Sequence, residues 1–280
     1  MPGMIIDVHT HVFPPEVMAD RQRFCKAEPA FASIYSDPAA PMVDAPGLIA
    51  AMDQARVDLS WAVGFPWQQA EHARLHNDYV AAAVKEHPWR LRGLACVHPP
   101  AAWALAEAQR ALGLGLHGLG ELAFYDQDLD LASLAPLCGL AAEAGAPLLL
   151  HTNEPVGRVY PGKAPMTLAR LYALIKAHSA TRLVLAHMGG GIFFYAALKK
   201  EVRAALANVW LDTAAAPFLY RPRAYGLAVE LMGADRVLLG SDYPLLPVER
   251  YRKELTSAEA GLSPADLDMV LGGAAARLLP

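Results

Sequence analysis

The sequence predicts an α/β fold, a (β/α)8 barrel in a single domain over residues 1–280 with an irregular insertion after the first strand. Three observations carry this. Short apolar runs alternate with longer amphipathic, alanine-rich stretches along the whole chain. The runs are apolar almost throughout, as expected of parallel strands covered by helices on their outer face. There are eight of them, which suits a closed barrel; fewer would favour an open doubly wound sheet.

The strand candidates are, in order, MIIDVH (4–9), WAVGF (61–65), LRGLACV (91–97), GLHGLGELAF (115–124), PLLLH (147–151), RLVLAH (182–187), NVWLDT (208–213) and RVLLGSD (236–242). Helical stretches lie between them: GLIAAMDQARVD (47–58), HNDYVAAAVKEHP (76–88), AAWALAEAQRAL (101–112), LASLAPLCGLAAEAG (131–145), MTLARLYALIKAH (166–178) and YAALKKEVRAAL (195–206). Gly145 and Pro147 separate a helix from the PLLLH strand, and Ser263-Pro264 opens a last helix with proline in its first turn. The segment from about Phe13 to Pro46 is rich in proline and polar residues. It either lies over the barrel mouth or is a surface loop without catalytic meaning.

Bulk properties narrow the function. A chain that is 54% hydrophobic and 19% charged builds a sizeable core and is not disordered. The net charge of −4 and the lack of a basic run give no attraction to nucleic acid or an anionic membrane. No stretch approaches the roughly 20 apolar residues of a membrane span, and the start MPGMIIDVHTH has no secretion-signal pattern. Cys25, Cys96 and Cys138 are far apart and read as free thiols of a reducing compartment, so a cytoplasmic location is expected.

The chemistry concentrates at strand ends. With period-two alternation, Ile5, Asp7, His9 and His11 share one face of the first strand and Ile6, Val8, Thr10 and Val12 the other. Two adjacent imidazoles and a carboxylate need partners if buried, and a divalent metal supplies them. His151, His187 and Asp242 each end an apolar run. In a parallel barrel all carboxyl ends face one mouth, so these side chains are expected to converge there.

These residues, in this order, resemble the amidohydrolase superfamily and within it the amidohydrolase-2 branch, which includes aminocarboxymuconate-semialdehyde decarboxylase. MDQARVD, HNDYVAAAVKEHPWRLRGLACVHP, LVLAHMGGG, VLLGSDYP and the terminal GGAAARLL extend the likeness nearly end to end. Ala274 stands where members usually carry asparagine. The resemblance implies that His9, His11, His151 and Asp242 bind the metal, with His187 beside the metal-bound water. His187 and Asp242 are the implied acid–base groups. Asp7, deeper on the same face, is expected to be a partner of the ligands rather than a ligand.

Glu121 ends the fourth strand, where some superfamily members place a carboxylate bridging two metals. It is read as part of the metal site, against the alternative of pairing with a base such as arginine. One or two ions, zinc first, are implied. Arg158 and Tyr160, in the loop after His151, are candidate contacts for a carboxylate-bearing small-molecule substrate, with Arg221 and Arg223 behind them. The leading expectation is hydrolysis of an amide, ester or lactone by a metal-activated water. The alternative is non-oxidative decarboxylation of an unsaturated or aromatic acid, which the family runs on nearly the same ligands. A non-catalytic ligand-binding barrel is a third reading, and a homo-oligomer is compatible with all three.

Overall fold

The computed structural model describes residues 3–278. Eight strands follow one another around the sheet: β1 Ile6–His11, β2 Leu59–Val63, β3 Leu91–Ala95, β4 Gly118–Leu122, β5 Pro147–Leu150, β6 Arg182–Leu185, β7 Val209–Asp212 and β8 Val237–Leu238. Each pairs in parallel with the next, in the order β1 to β8. The seam closes through the main chain: Val8 N–H donates to Leu239 C=O at 2.8 Å, and Asp242 N–H to His9 C=O at 2.8 Å. The chain is therefore a (β/α)8 barrel, each strand lying where the apolar runs place it.

Alternation sorts the strand side chains into two apolar layers. Leu148 and Leu150 of β5 face outward, against helix residues such as Leu171 and Ile175. Leu149, between them, faces inward and meets Ile6, Val8, Trp61, Leu94, Val184 and Leu238. Ala274 and Leu278 join this inner cluster, which fills the barrel. Among the described residues no helix is long and apolar enough to cross a membrane.

Two expectations are corrected. β1 does not alternate regularly: Asp7 pairs with Ser60 but Thr10 with Ala62, so β1 takes three steps where β2 takes two. This bulge turns Ile6 and Val8 into the barrel and Asp7 out of it, into a small cavity with Leu48, Met52 and Ser60. Asp7 and His9 therefore do not share a face. The insertion is also not irregular. It folds into three short helices, Pro15–Ala19, Arg21–Ala27 and Pro29–Tyr35. Their buried Val17, Phe24 and Phe31 join Phe13, Phe65 and Trp67 in a separate aromatic cluster over the carboxyl end of the barrel.

Candidate metal centre

The carboxyl mouth gathers the strand-terminal side chains into two adjoining triads, His9–His11–Asp242 and Glu121–His151–His187. The first comes from the barrel seam. His9 Nε2 lies 3.2 Å from His11 Nε2, and Asp242 Oδ1 lies 3.2 Å from His11 Nε2 and 3.6 Å from His9 Nε2. Glu121 spans the two. Its Oε2 is 3.7 Å from both His9 Nε2 and His11 Nε2, while Oε1 is 3.1 Å from His151 Nδ1 and 3.5 Å from His187 Nε2. Among the described residues Glu121 pairs with imidazoles and with no arginine or lysine, against the alternative of a salt bridge to such a base.

Hydrogen bonds behind the rings decide which nitrogens face inward. His9 Nδ1 sits 2.8 Å from Asp212 Oδ2, an acceptor, so Nδ1 carries the hydrogen and Nε2 keeps its lone pair. His11 Nδ1 likewise donates to the Gly64 carbonyl at 3.2 Å, and His187 Nδ1 to the Ala214 carbonyl at 3.0 Å. The Nε2 lone pairs of His9 and His11 thus face each other at 3.2 Å, which is repulsive unless a positive charge stands beside both. Ligand atoms on a tetrahedral shell of ~2.0–2.1 Å radius stand about 3.3 Å apart, close to this separation. Among the described residues the buried Nε2 of His151 has no hydrogen-bond partner. The donor set fits a divalent cation.

The electrostatics agree. Burial alone would depress the His9 imidazole, but Glu121 and Asp212 outweigh it and hold it well above its ordinary value. Burial also opposes ionisation of Glu121, yet His9 and His151 keep its carboxyl well below the usual range. Asp242 is held below its ordinary value against burial by His11 and His9. His187, depressed by burial but raised further by Glu121 and Asp242, reaches about 9. The cluster thus favours added positive charge.

Local backbone supports the placement. His187 and Asp242 both have φ of 57°, uncommon for residues other than glycine and concentrated at functional sites. After His187 the chain stays left-handed through Gly191. At Gly190 a Cβ would stand 2.4 Å from the Asn153 carbonyl oxygen, so only glycine lets the loop after β6 touch the loop after β5.

Asp212 escaped the sequence reading. It is fully buried and accepts from His9 Nδ1, from the His187 N–H at 2.9 Å and from the Ala214 N–H at 3.0 Å. The signal that marks Asp242, an aspartate closing an apolar run, was equally present in NVWLDT.

A cavity of about 730 Å³ opens above the cluster, lined by His11, Glu121, His151, His187 and Asp242 at its floor. Tyr35 and Tyr125 form its inner wall, and Val156, Val159, Phe218 and Leu245 its exposed rim. Arg158 and Tyr160 also line it, Arg158 from the exposed rim. The Tyr160 hydroxyl donates to Glu154 at 2.9 Å, and Lys163 is bound to the same carboxylate at 2.6 Å. Arg221 pairs with Glu259 at 2.9 Å on the surface, and neither it nor Arg223 lines the cavity. Phe13, Phe65 and Trp67 lie behind the wall rather than in it.

A parallel barrel with buried imidazoles and carboxylates converging on its carboxyl mouth defines a class of barrel enzymes. The chain belongs to the amidohydrolase family, in its amidohydrolase-2 branch; the family model matches residues 6–280. Solved structures share the fold at low identity. A 5-carboxyvanillate decarboxylase from Sphingomonas paucimobilis is 21% identical with a TM-score of 0.77, and 98% of each chain is covered. A dihydroxybenzoic acid decarboxylase from a Polaromonas species, with bound manganese and 2-nitroresorcinol, is 19% identical with a TM-score of 0.70, over 99% of this chain and 96% of that one. A putative 2-pyrone-4,6-dicarboxylic acid hydrolase from Pseudomonas putida is 18% identical with a TM-score of 0.65, over 99% and 98%. A search of curated proteins finds no match.

Proposed function

We propose that the protein is a divalent-metal-dependent decarboxylase of a hydroxylated aromatic acid. The observation that carries the reading is the join of two ligand triads beneath a cavity walled by aromatic and apolar side chains. That shape suits a flat ring whose polar edge points at the cluster. The decarboxylases above support it, because they act on such acids over the full length of the same fold. This shifts the weight from hydrolysis, the leading expectation from sequence, to its alternative.

His9, His11 and Asp242 would hold the ion, with Glu121 and His151 beside it. Carboxylate donors suit manganese, which the Polaromonas structure contains, and imidazoles suit zinc. When bound, the ion anchors the substrate's oxygens and draws charge from the ring. In the reaction the bond between ring and carboxylate breaks, its electron pair stays on the ring carbon, and carbon dioxide leaves. A proton must then reach that carbon. His187 and Asp242 both line the cavity and are the groups assigned to carry it. Arg158 would meet the outer end of the substrate from the rim.

Hydrolysis is the second reading, favoured by one observation: Glu121 reaches both triads, as a carboxylate bridging two ions would. Incubating metal-loaded enzyme with 5-carboxyvanillate, 2,6-dihydroxybenzoate and a panel of lactones separates the two. Carbon dioxide release from a hydroxybenzoate, with one deuteron placed on the ring in D2O, is the expected result. Ring opening of a lactone with no carbon dioxide from any acid would overturn the proposal.

A further inference from the structure

Six tyrosine hydroxyls near the barrel mouth show where polar groups are still unclaimed. Tyr160 donates to Glu154, Tyr225 to Glu254 at 3.1 Å, Tyr251 to the Ser241 carbonyl at 2.6 Å, and Tyr220 to the His187 carbonyl at 3.5 Å. Tyr35 and Tyr125 differ. Both line the cavity, and among the described residues neither hydroxyl meets a hydrogen-bond partner.

Their rings, in contrast, are locked. Tyr35 ends the helix Pro29–Tyr35 and stacks on Phe31 at 4.8 Å, with its edge to Phe13 at 5.1 Å. Tyr125 stacks on Phe65 at 5.5 Å and meets the His151 ring edge-on at 5.1 Å. A ring fixed by packing whose hydroxyl is left open is an arrangement set for a ligand. A phenol is protonated at neutral pH, so both hydroxyls can donate.

Among the described residues the one guanidinium lining the cavity is that of Arg158, at the exposed rim; the Lys163 ammonium is bound to Glu154, and the imidazoles of the floor belong to the candidate metal cluster. An anionic oxygen deep in the cavity thus meets two phenol donors besides any ion on the imidazoles. We infer that Tyr35 and Tyr125 form a two-hydroxyl clamp that positions an anionic oxygen of the aromatic substrate above the cluster. The inference rests on the decarboxylase reading and adds to it a specificity element, half of which comes from the insertion after β1.

The test uses Tyr35→Phe, Tyr125→Phe and the double variant on metal-loaded enzyme, since phenylalanine keeps the ring packing. KM for the hydroxybenzoate found active should rise roughly ten- to a hundredfold, the range for a lost hydrogen bond to a charged group, with kcat changed less. Metal content and Tm should hold. Binding of 2-nitroresorcinol, followed by calorimetry, should weaken in parallel. An unchanged KM and an unchanged Kd for 2-nitroresorcinol in the double variant would overturn the clamp, as would a fall in Tm with binding intact. Wild-type turnover reports separately on the decarboxylase reading. If that fails, the calorimetric comparison still decides the clamp.

Discussion

At the amino end of the barrel, Ile6, Val8, Trp61, Leu149 and Leu238 meet Ala274 and Leu278 in an apolar plug. One to four residues further along β1, β5 and β8, His9, His11, His151 and Asp242 turn titratable groups to the same axis, and Asp212 at the end of β7 backs His9. The main-chain scaffold is shared, so the difference lies in what each end asks of a side chain. The plug needs volume, and its interactions are non-directional. The mouth needs orientation: His9, His11 and His187 each have a partner on Nδ1 that fixes the tautomer. Damage to the first end should cost stability, and damage to the second should cost metal and turnover.

The sharpest break in that contrast is His9→Ala with His11→Ala. Two ligands from one strand disappear, so metal measured after dialysis should fall to background while the far-ultraviolet dichroism stays that of the barrel. Full occupancy in the double variant would remove these residues from the site. Next comes Asp212→Asn, which keeps the volume but unsettles the His9 tautomer. Metal affinity or activity should drop about 10–100-fold with little change in Tm.

Leu149→Ala probes the opposite end and should show the reverse signature. Unfolding free energy should fall by about 2–5 kcal/mol, the usual cost of a core cavity, with metal stoichiometry kept. A loss of metal at equal stability would mean that the two ends are not separable.

The smallest expected effect tests a histidine outside both. His76 takes the Trp67 indole N–H on Nδ1 at 2.9 Å and donates from Nε2 to the Val12 carbonyl at 2.6 Å, which fixes it as neutral. Burial lowers its pKa to about 4 against the opposing bond to Val12. Its folded value is depressed, so its full contribution is present above the unfolded value of ~6.5 and is lost as pH falls from there toward 4. Between pH 7 and pH 5 the wild type should lose about 2 kcal/mol more stability than His76→Gln, compared by denaturant titration at equal metal. Equal losses would show that His76 is not kept neutral.

The strands were legible because each is a short apolar run that no helix of this length would produce, and His151, His187 and Asp242 because each closes such a run. What escaped depends on contacts between distant segments. The bulge that sends Asp7 outward arises where β1 closes against β2 and β8, and its sequence shows only unbroken alternation. The insertion's helices are only five to seven residues long, so their local signal is weak; Phe24 and Phe31 are held by Phe65 and Trp67 from the next unit. Arg221 could be told from a substrate anchor only by finding Glu259, 38 positions away.

The contact of Gly190 with the Asn153 carbonyl has a mechanical consequence. It works like the closed jaw of a caliper, setting, together with the hydrogen bond from the Thr152 hydroxyl to the Ala186 carbonyl, the gap between the segments carrying His151 and His187. The loop from Pro155 to Pro165 can then diverge in sequence, and retune the rim, without the spacing of the two imidazoles drifting. A side chain at position 190 would force the jaw open and shift both rings at once.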